Sequence, residues 1–357
     1  MRLGIDIGGT KIVAGLVTPE GTVRRRAYAP TPAAQGPRAV VRTVVRLARE
    51  LGLDGVTCAG VGTAGVVDPD GREIAGATDT IRDWAGTPLA ASLEAELGLP
   101  VRVRNDVHAF LAGELARSSW RTALGVTVGT GIGGALALDG DVVTGVRGAA
   151  GHVGHVPVAE AAGLACTCGA YGHVEAVACG PAMTAAFTAL QAAGGGRPSP
   201  GDRPAGGGGQ GLRLVLERAR AGDADAAGVL ARGGRALGSA LAGVVNVWDP
   251  DVVIVGGGVL AAGELYLGPL RAALAAGVLP VLADVPVRTA RLGDDAVLVG
   301  AAAAAGAACL APMKPAAGRQ AGHATGDRRT GMTWRWSGRI RPVRASRSES
   351  DRREGRA

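Results

Sequence analysis

Three of the five histidines and three of the five cysteines in this 357-residue chain fall in one stretch, Gly148 to Gly180: GAAGHVGHVPVAEAAGLACTCGAYGHVEAVACG. They are His152, His155, His173, Cys166, Cys168 and Cys179. Cys166 and Cys168 form a C-x-C, His173 follows four intervening residues later, and His155 lies eleven positions before Cys166. Two thiolates and two imidazoles are the complement of a closed tetrahedral zinc site. Closed sites staple a loop and keep no open position for chemistry. The bland alternative is core histidines and free thiols, but a C-x-C with a nearby His is a stronger pattern than a lone pair. A Cys166–Cys168 disulfide does not suit a reducing compartment. His152, three residues before His155, is an alternative ligand, although four better-spaced ones already exist.

A second kind of chemistry is written in glycines. Asp6-Ile7-Gly8-Gly9-Thr10-Lys11 reads as a strand entering a glycine turn. Glycines let backbone N–H groups approach phosphate oxygens, and Thr10 and Lys11 add side-chain donors. Asp6 at the strand end can hold Mg²⁺ through water. Gly129-Thr130-Gly131-Ile132-Gly133-Gly134 is a second such turn. It matches G-x-G-x-x-G, but the dinucleotide motif must open a helix, and here the strand Ala135–Leu138 follows. Either turn alone could be a plain hairpin. Two at equivalent points of a repeat favour a phosphate clamp. Asn105-Asp106 follows a short strand, Val101–Arg104, and by itself is a common turn or helix cap. Glu175, two residues after His173, would be held rigidly by a metal loop, though a lone Glu is more often a solvated surface residue.

The elements that must position these groups repeat. Residues 2–28 read as strand, turn, strand, turn, strand, and the segment from Leu124 repeats the pattern about 120 residues on. A repeat at that scale means two related lobes rather than a solenoid. Pro37–Leu51 has helical spacing with Pro near its start. Helical patterns also cover Val107–Ala116, Asp223–Val247 and residues 298–311. Strand Val252–Val255 runs into Gly256-Gly257-Gly258. Gln191–Gly211 holds nine Gly and three Pro in 21 residues and reads as a flexible surface excursion.

Together these residues resemble the ROK family (repressors, open reading frames and sugar kinases). His152-Val153-Gly154-His155 stands where the family's E-x-G-H is usual. Cys166-Thr167-Cys168-Gly169-Ala170-Tyr171-Gly172-His173-Val174-Glu175 matches C-x-C-G-x-x-G-C-x-E, with His173 in place of the third cysteine. Gly62-Thr63-Ala64-Gly65 resembles the sugar-loop motif. The resemblance spans about residues 1–311. It implies an α/β, two-lobed actin-like (duplicated ribonuclease H-like) sugar-kinase fold with an interlobe cleft. The lobes would be 1–118 (sugar and phosphate side) and 119–297 (zinc loop and nucleotide site), with 298–311 as a closing helix and 313–357 as a basic disordered tail.

The activity implied is ATP- and Mg²⁺-dependent phosphorylation of a sugar 6-hydroxyl, with Asp106 as catalytic base. The sugar would sit on Gly65, Asn105, Asp106, His152, His155 and Glu175. The nucleotide would sit on Asp6, Gly8, Gly9, Thr10, Lys11, Gly129, Thr130, Gly131, Gly256, Gly257 and Gly258. Zn²⁺ would be held by His155, Cys166, Cys168 and His173. His152 replaces the usual Glu with a ring that offers one donor, one acceptor and no charge. That tolerates an acetamido group, and G-H-x-G-H is similar to bacterial N-acetylmannosamine kinases of the family. Glucokinase is the alternative, a sugar-sensing regulator the second, and polyphosphate remains open as donor. Family members are commonly homodimers or homotetramers.

Bulk composition bounds the rest. Apolar content of 47% is ample for a core, and aromatics at 3% make that core aliphatic. The net charge of +7 lies in the tail: from Met313 onward twelve basic residues face four acidic ones, leaving residues 1–312 near neutral. The alkaline pI is therefore no argument for nucleic-acid binding by the folded part. Asp6 interrupts the first apolar residues, which argues against a signal peptide, and no apolar run approaches a membrane span. The expectation is a cytoplasmic protein whose partner is a small sugar.

Overall fold

A computed structural model describes residues 1–193 and 208–310. The chain opens with an antiparallel meander, β1 (Arg2–Ile7), β2 (Lys11–Val17) and β3 (Val23–Pro30). Helix α1 (Pro37–Leu51) follows, with Pro37 at its first turn, where a missing N–H costs nothing. It buries Val40, Val44, Leu47, Ala48 and Leu51. Then come β4 (Ala59–Thr63), a small hairpin β5 (Val66–Val67) and β6 (Ile74–Gly76), α2 (Leu89–Leu97), β7 (Val101–Asn105) and α3 (Asp106–Leu115). The first sheet has the order β3-β2-β1-β4-β7, with β1, β4 and β7 parallel.

The second half repeats this plan. β8 (Ala123–Val128), β9 (Ile132–Leu138) and β10 (Asp141–Val143) form the meander. After the cysteine and histidine stretch come α4 (Glu175–Ala178), α5 (Gly180–Ala193), α6 (Gly208–Arg220) and α7 (Ala224–Trp248). β11 (Val252–Gly256), α8 (Glu264–Gly277), β12 (Val287–Thr289) and α9 (Ala296–Leu310) complete it. The sheet order is β10-β9-β8-β11-β12, again with the last three parallel. The duplication expected from the glycine turns is therefore a duplication of whole sheets.

Each sheet is closed by the helix that follows the last strand of the other. Leu111 of α3 packs against Gly125 of β8, and Leu298 of α9 packs against Gly4 of β1. Gly4 and Gly125 are equivalent positions. A Cβ on Gly4 would lie 2.3 Å from the Leu298 carbonyl oxygen, so that face admits only glycine. Leu111 is fully buried, and Leu111→Ala would cost about 2–5 kcal/mol through the cavity it leaves. β2 is buried along nearly its whole length because α1 covers one face and α9 the other. β3, at the sheet edge, alternates Ala27 and Ala29 inward with Arg26 and Tyr28 outward.

Two stretches depart from the sequence expectation. α6 begins at Gly208 and α5 runs to Ala193, so regular helices enter the run expected to be an excursion from both sides. Its middle lies outside the described residues, as does the tail from residue 311. The closing helix starts two residues earlier than expected, at Ala296. No helix among the described residues is long and apolar enough to cross a membrane.

Candidate active site and metal centre

The parallel strands β1, β4 and β7 end side by side. Their register aligns Asp6 with Gly62, and Thr63 with Ile7 and Asn105. Ligands of open α/β sheets gather at such carboxyl ends. Asn105 leaves β7 with extended backbone and caps α3: its Oδ1 accepts from the N–H of Val107 (2.9 Å) and of His108 (3.2 Å). Its Nδ2 donates to the carbonyl of Gly65 at 3.0 Å. Gly65 has φ +106°, and a Cβ there would collide with the Gly76 carbonyl. The Asn-Asp pair is thus a helix cap and a site element at once. The Asn105 side chain also hydrogen-bonds the Asp106 carboxylate beside it.

Asp106, first residue of α3, faces Asp6. Burial and the Asp106 charge push Asp6 from its ordinary 3.8 to about 7, against the pull of Lys11. Burial also pushes Asp106 upward, opposed by the N–H groups of the helix start. Two neighbouring carboxylates in a buried site resist joint ionisation until a cation joins them. Asp294 adds to the negative field on Asp6 and pairs with Lys11 at 3.6 Å.

The glycine turns flank this centre. Gly8 N–H donates to the Lys11 carbonyl (3.0 Å), and Gly129 N–H to that of Gly131 (2.9 Å). Gly9, Thr10, Thr130 and Gly131 spend no N–H on a protein acceptor among the described residues. Those N–H groups are what a phosphate would use. Gly256-Gly257-Gly258 ends β11, with Gly257 at φ +90° against the Val128 carbonyl. It occupies the place in the second sheet that Gly62 and Thr63 occupy in the first.

The donor atoms of His155, Cys166, Cys168 and His173 all lie within 4.8 Å of one another. Cys166 Sγ is 3.7 Å from His155 Nδ1, and Cys168 Sγ is 3.2 Å from His173 Nδ1. Zinc bonds of about 2.0–2.3 Å in a tetrahedron separate donors by roughly 3.3–3.8 Å. The donor set and its spread fit Zn²⁺. The loop is clasped by the bridges Pro157–His173 and Ala165–Tyr171 and by Cys166 N–H donating to the Ala170 carbonyl at 2.8 Å. His152 stays outside the quartet. Its Nδ1–H donates to the Ala149 carbonyl (3.0 Å) and its ring stacks on His155 at 6.2 Å. Cys179 is a buried thiol that burial pushes up to about 11, which leaves it inert.

Glu175 ties the metal loop to the second glycine turn. One carboxylate oxygen accepts from Ile132 N–H at 2.8 Å and the other from the Thr167 hydroxyl at 2.8 Å. Two further residues escape a reading of the sequence. His108 is buried in α3 and its Nε2–H donates to the Ala150 carbonyl at 2.9 Å, beside His152 on Ala149. Buried Glu114 accepts from the N–H groups of Arg291 (3.0 Å) and Leu292 (2.8 Å), which anchors the segment that carries Asp294. The only signal for His108 is its place three residues after Asn105.

The fold and site define a class: the duplicated α/β, two-lobed actin-like fold of sugar kinases. A model of the ROK family matches residues 2–308. The chain is 31% identical over 314 residues to the glucokinase of Thermotoga maritima, covering 84% of this chain and 95% of that one. It is 33% identical over 302 residues to the N-acetylmannosamine kinase of Escherichia coli strain SE11, covering 84% and 96%. Among solved structures, the ROK family glucokinase of Streptomyces griseus in complex with glucose and AMPPNP superposes with a TM-score of 0.72 at 31% identity, covering 86% and 99%. The protein belongs to the ROK family.

Proposed function

We propose that this protein is a cytoplasmic sugar kinase that moves the terminal phosphoryl group of ATP to the 6-hydroxyl of a hexose or N-acetylhexosamine, with N-acetylmannosamine preferred over glucose. The observation that carries the reading is the facing pair Asp6 and Asp106 at the ends of β1 and β7, flanked by glycine turns. Phosphoryl transfer asks a protein for positioning, charge neutralisation and a base at the attacking oxygen. Mg²⁺ would supply the charge neutralisation, held by Asp6 through water. Asp106 takes the hydroxyl proton, and burial raises its proton affinity toward the working range. Asn105, hydrogen-bonded to the Asp106 carboxylate, holds that base beside the hydroxyl. Zn²⁺ would be held by His155, Cys166, Cys168 and His173, fixing the loop that carries Glu175.

The sugar preference rests on His152. Its Nδ1–H is spent on Ala149, so the ring offers Nε2 as an uncharged acceptor. That suits the N–H of an acetamido group and lacks the charge that a Glu would bring. Glucose is the second reading, favoured by the relatives named glucokinase at 31–33% identity.

ADP release from the purified protein with Mg-ATP decides between them across N-acetylmannosamine, N-acetylglucosamine, glucose, mannose and fructose. N-acetylmannosamine should win by kcat/KM, and His152→Glu should move the preference toward glucose by tenfold or more. A glucose optimum unmoved by His152→Glu would refute the sugar assignment. No turnover on any sugar, with Asp106→Asn indistinguishable from the parent, would refute the kinase reading in favour of a sugar-sensing regulator.

A further inference from the structure

Behind the Asn105 end of β7 lies a cavity of about 350 Å³. It is walled by the turn after β5 (Asp68 to Gly71), by β7, by Val142 and Thr144 at β10, and by Ala304 and Ala307 of α9. Asn105 and His108 close its inner end. The two alternate residues of β7 that face it are arginines, Arg102 and Arg104.

Arg104 is the unusual one. Its Nε is enclosed and has no hydrogen-bond partner. No hydrogen bond or ion pair reaches its guanidinium from any described residue. The side chain is half-buried, a guanidinium keeps its charge at any physiological pH, and enclosing part of it without a partner is unfavourable. Burial, then the like charge of Arg102, strains Arg104 in its charged form, and the nearest help is the field of Asp141.

The carboxylates around the cavity are accounted for in part. Asp68 spends one oxygen on the N–H groups of Arg72 (2.7 Å) and Glu73 (2.6 Å). Asp70 offers its backbone carbonyl to Arg102. Among the described residues no hydrogen bond reaches the Asp70 carboxylate or the Thr144 hydroxyl, and both are suited to ligand hydroxyls. Neither acid forms an ion pair with Arg104 among the described residues.

We propose that this cavity binds a small oxyanion, a phosphate group either free or carried on a sugar, with Arg104 as its principal contact and Arg102 as its second. Guanidinium groups take phosphate oxygens in pairs, and two on one strand face make a fork for one tetrahedral anion. Carboxylate and hydroxyl on the facing wall would take the hydroxyls of a phosphosugar. The site is distinct from the glycine turns, none of whose residues line it and which draw on backbone N–H groups.

The test is calorimetric titration of the full-length protein in a buffer without phosphate, nucleotide or Mg²⁺. The probes are inorganic phosphate and a hexose 6-phosphate. Both should bind to the parent. Tenfold tighter binding of the hexose 6-phosphate identifies a phosphosugar site, and equal binding identifies a phosphate site. Arg104→Met and Arg104→Gln should each weaken both ligands more than tenfold. Lys11→Met, which removes a donor of the first glycine turn, should weaken both far less than the Arg104 variants do. Without ligand, Arg104→Met should melt at or above the parent temperature, because a half-buried charge whose enclosed Nε has no partner has been removed. Absence of binding, binding insensitive to both Arg104 variants, or binding lost in Lys11→Met instead would each overturn the proposal. So would a lower Tm of ligand-free Arg104→Met, since it would make the guanidinium structural; if that variant fails to fold, Arg104→Gln carries the binding test.

Discussion

The two copies of the sheet share a strand order and, along their first strands, change chemical character at one corresponding residue. β1 reads Gly4-Ile5-Asp6-Ile7-Gly8 where β8 reads Gly125-Val126-Thr127-Val128-Gly129. The first copy places a carboxylate before its turn and a second carboxylate, Asp106, at the end of its fifth strand. The second copy places a hydroxyl before its turn and follows β11 with three glycines. One backbone plan therefore yields an edge that carries ionisable carboxylates and a neutral, glycine-lined edge. Chemistry in this molecule is set by a few side chains on a scaffold used twice.

The comparison breaks or sharpens most visibly through Asp106. Asp106→Asn should lower kcat by roughly 10²–10⁴-fold, the usual worth of a general base, with sugar KM changed far less. Thr127→Val, at the counterpart of Asp6, should cost less than tenfold. Equal losses in steady-state assays would mean that the copies are not specialised as described.

The metal loop belongs to the second copy alone, inserted after β10. Purified protein should carry about one zinc per chain by elemental analysis. Cys168→Ser should lose most of that metal and lower the Tm. It should also raise sugar KM, because His155 and Glu175 lose their anchor. A metal-free parent with freely reactive Cys166 and Cys168 would remove the staple.

Asp6 gives a pH signature that the second copy lacks. Below about pH 3.8 its carboxyl is protonated whether the chain is folded or not. Between there and about pH 7 the folded protein holds a proton that the unfolded chain has released, so this group's stabilisation is lost as pH rises through about 7. Asp6→Asn should therefore stabilise the ligand-free protein at pH 8, by on the order of 2–4 kcal/mol, and not at pH 4. In the parent, kcat/KM should rise with pH toward about 7, and added Mg²⁺ should move that limb to lower pH. A Tm difference independent of pH would contradict the buried-acid account.

The smallest effect belongs to Lys11 and Asp294, whose side chains are 52% and 84% exposed. Asp294→Ala should change stability by less than about 0.5 kcal/mol in thermal unfolding, as exposed pairs do.

What could be read from the chain follows the range of the forces involved. The glycine turns, α1 and α7 are local: Pro37 at a helix start and Asp223 capping Ala226 N–H announce themselves. The metal quartet was legible because Cys and His are rare here and closely spaced. β4 was not, since Ala59-Gly60-Val61-Gly62 carries neither alternation nor β-branched density; parallel neighbours pair both its edges and helices α3 and α9 pack onto it. His108, Glu114 and Arg104 act on residues distant in sequence or on a cavity, and no local pattern marks them. Glu175 follows the quartet closely in sequence, but its bond to Ile132 N–H depends on how the metal loop meets the β8–β9 turn and no local pattern marks it.

The exchange of closing helices has a consequence for how the chain is made. A ribosome delivers β1, β4 and β7 early, yet the helix that covers their Gly4 face is α9, residues 296–310. The first sheet must wait, with an apolar face in water, until nearly all of the second has been synthesised. Translation that stops before residue 296 should leave a product that is captured by chaperones or degraded rather than half a working protein.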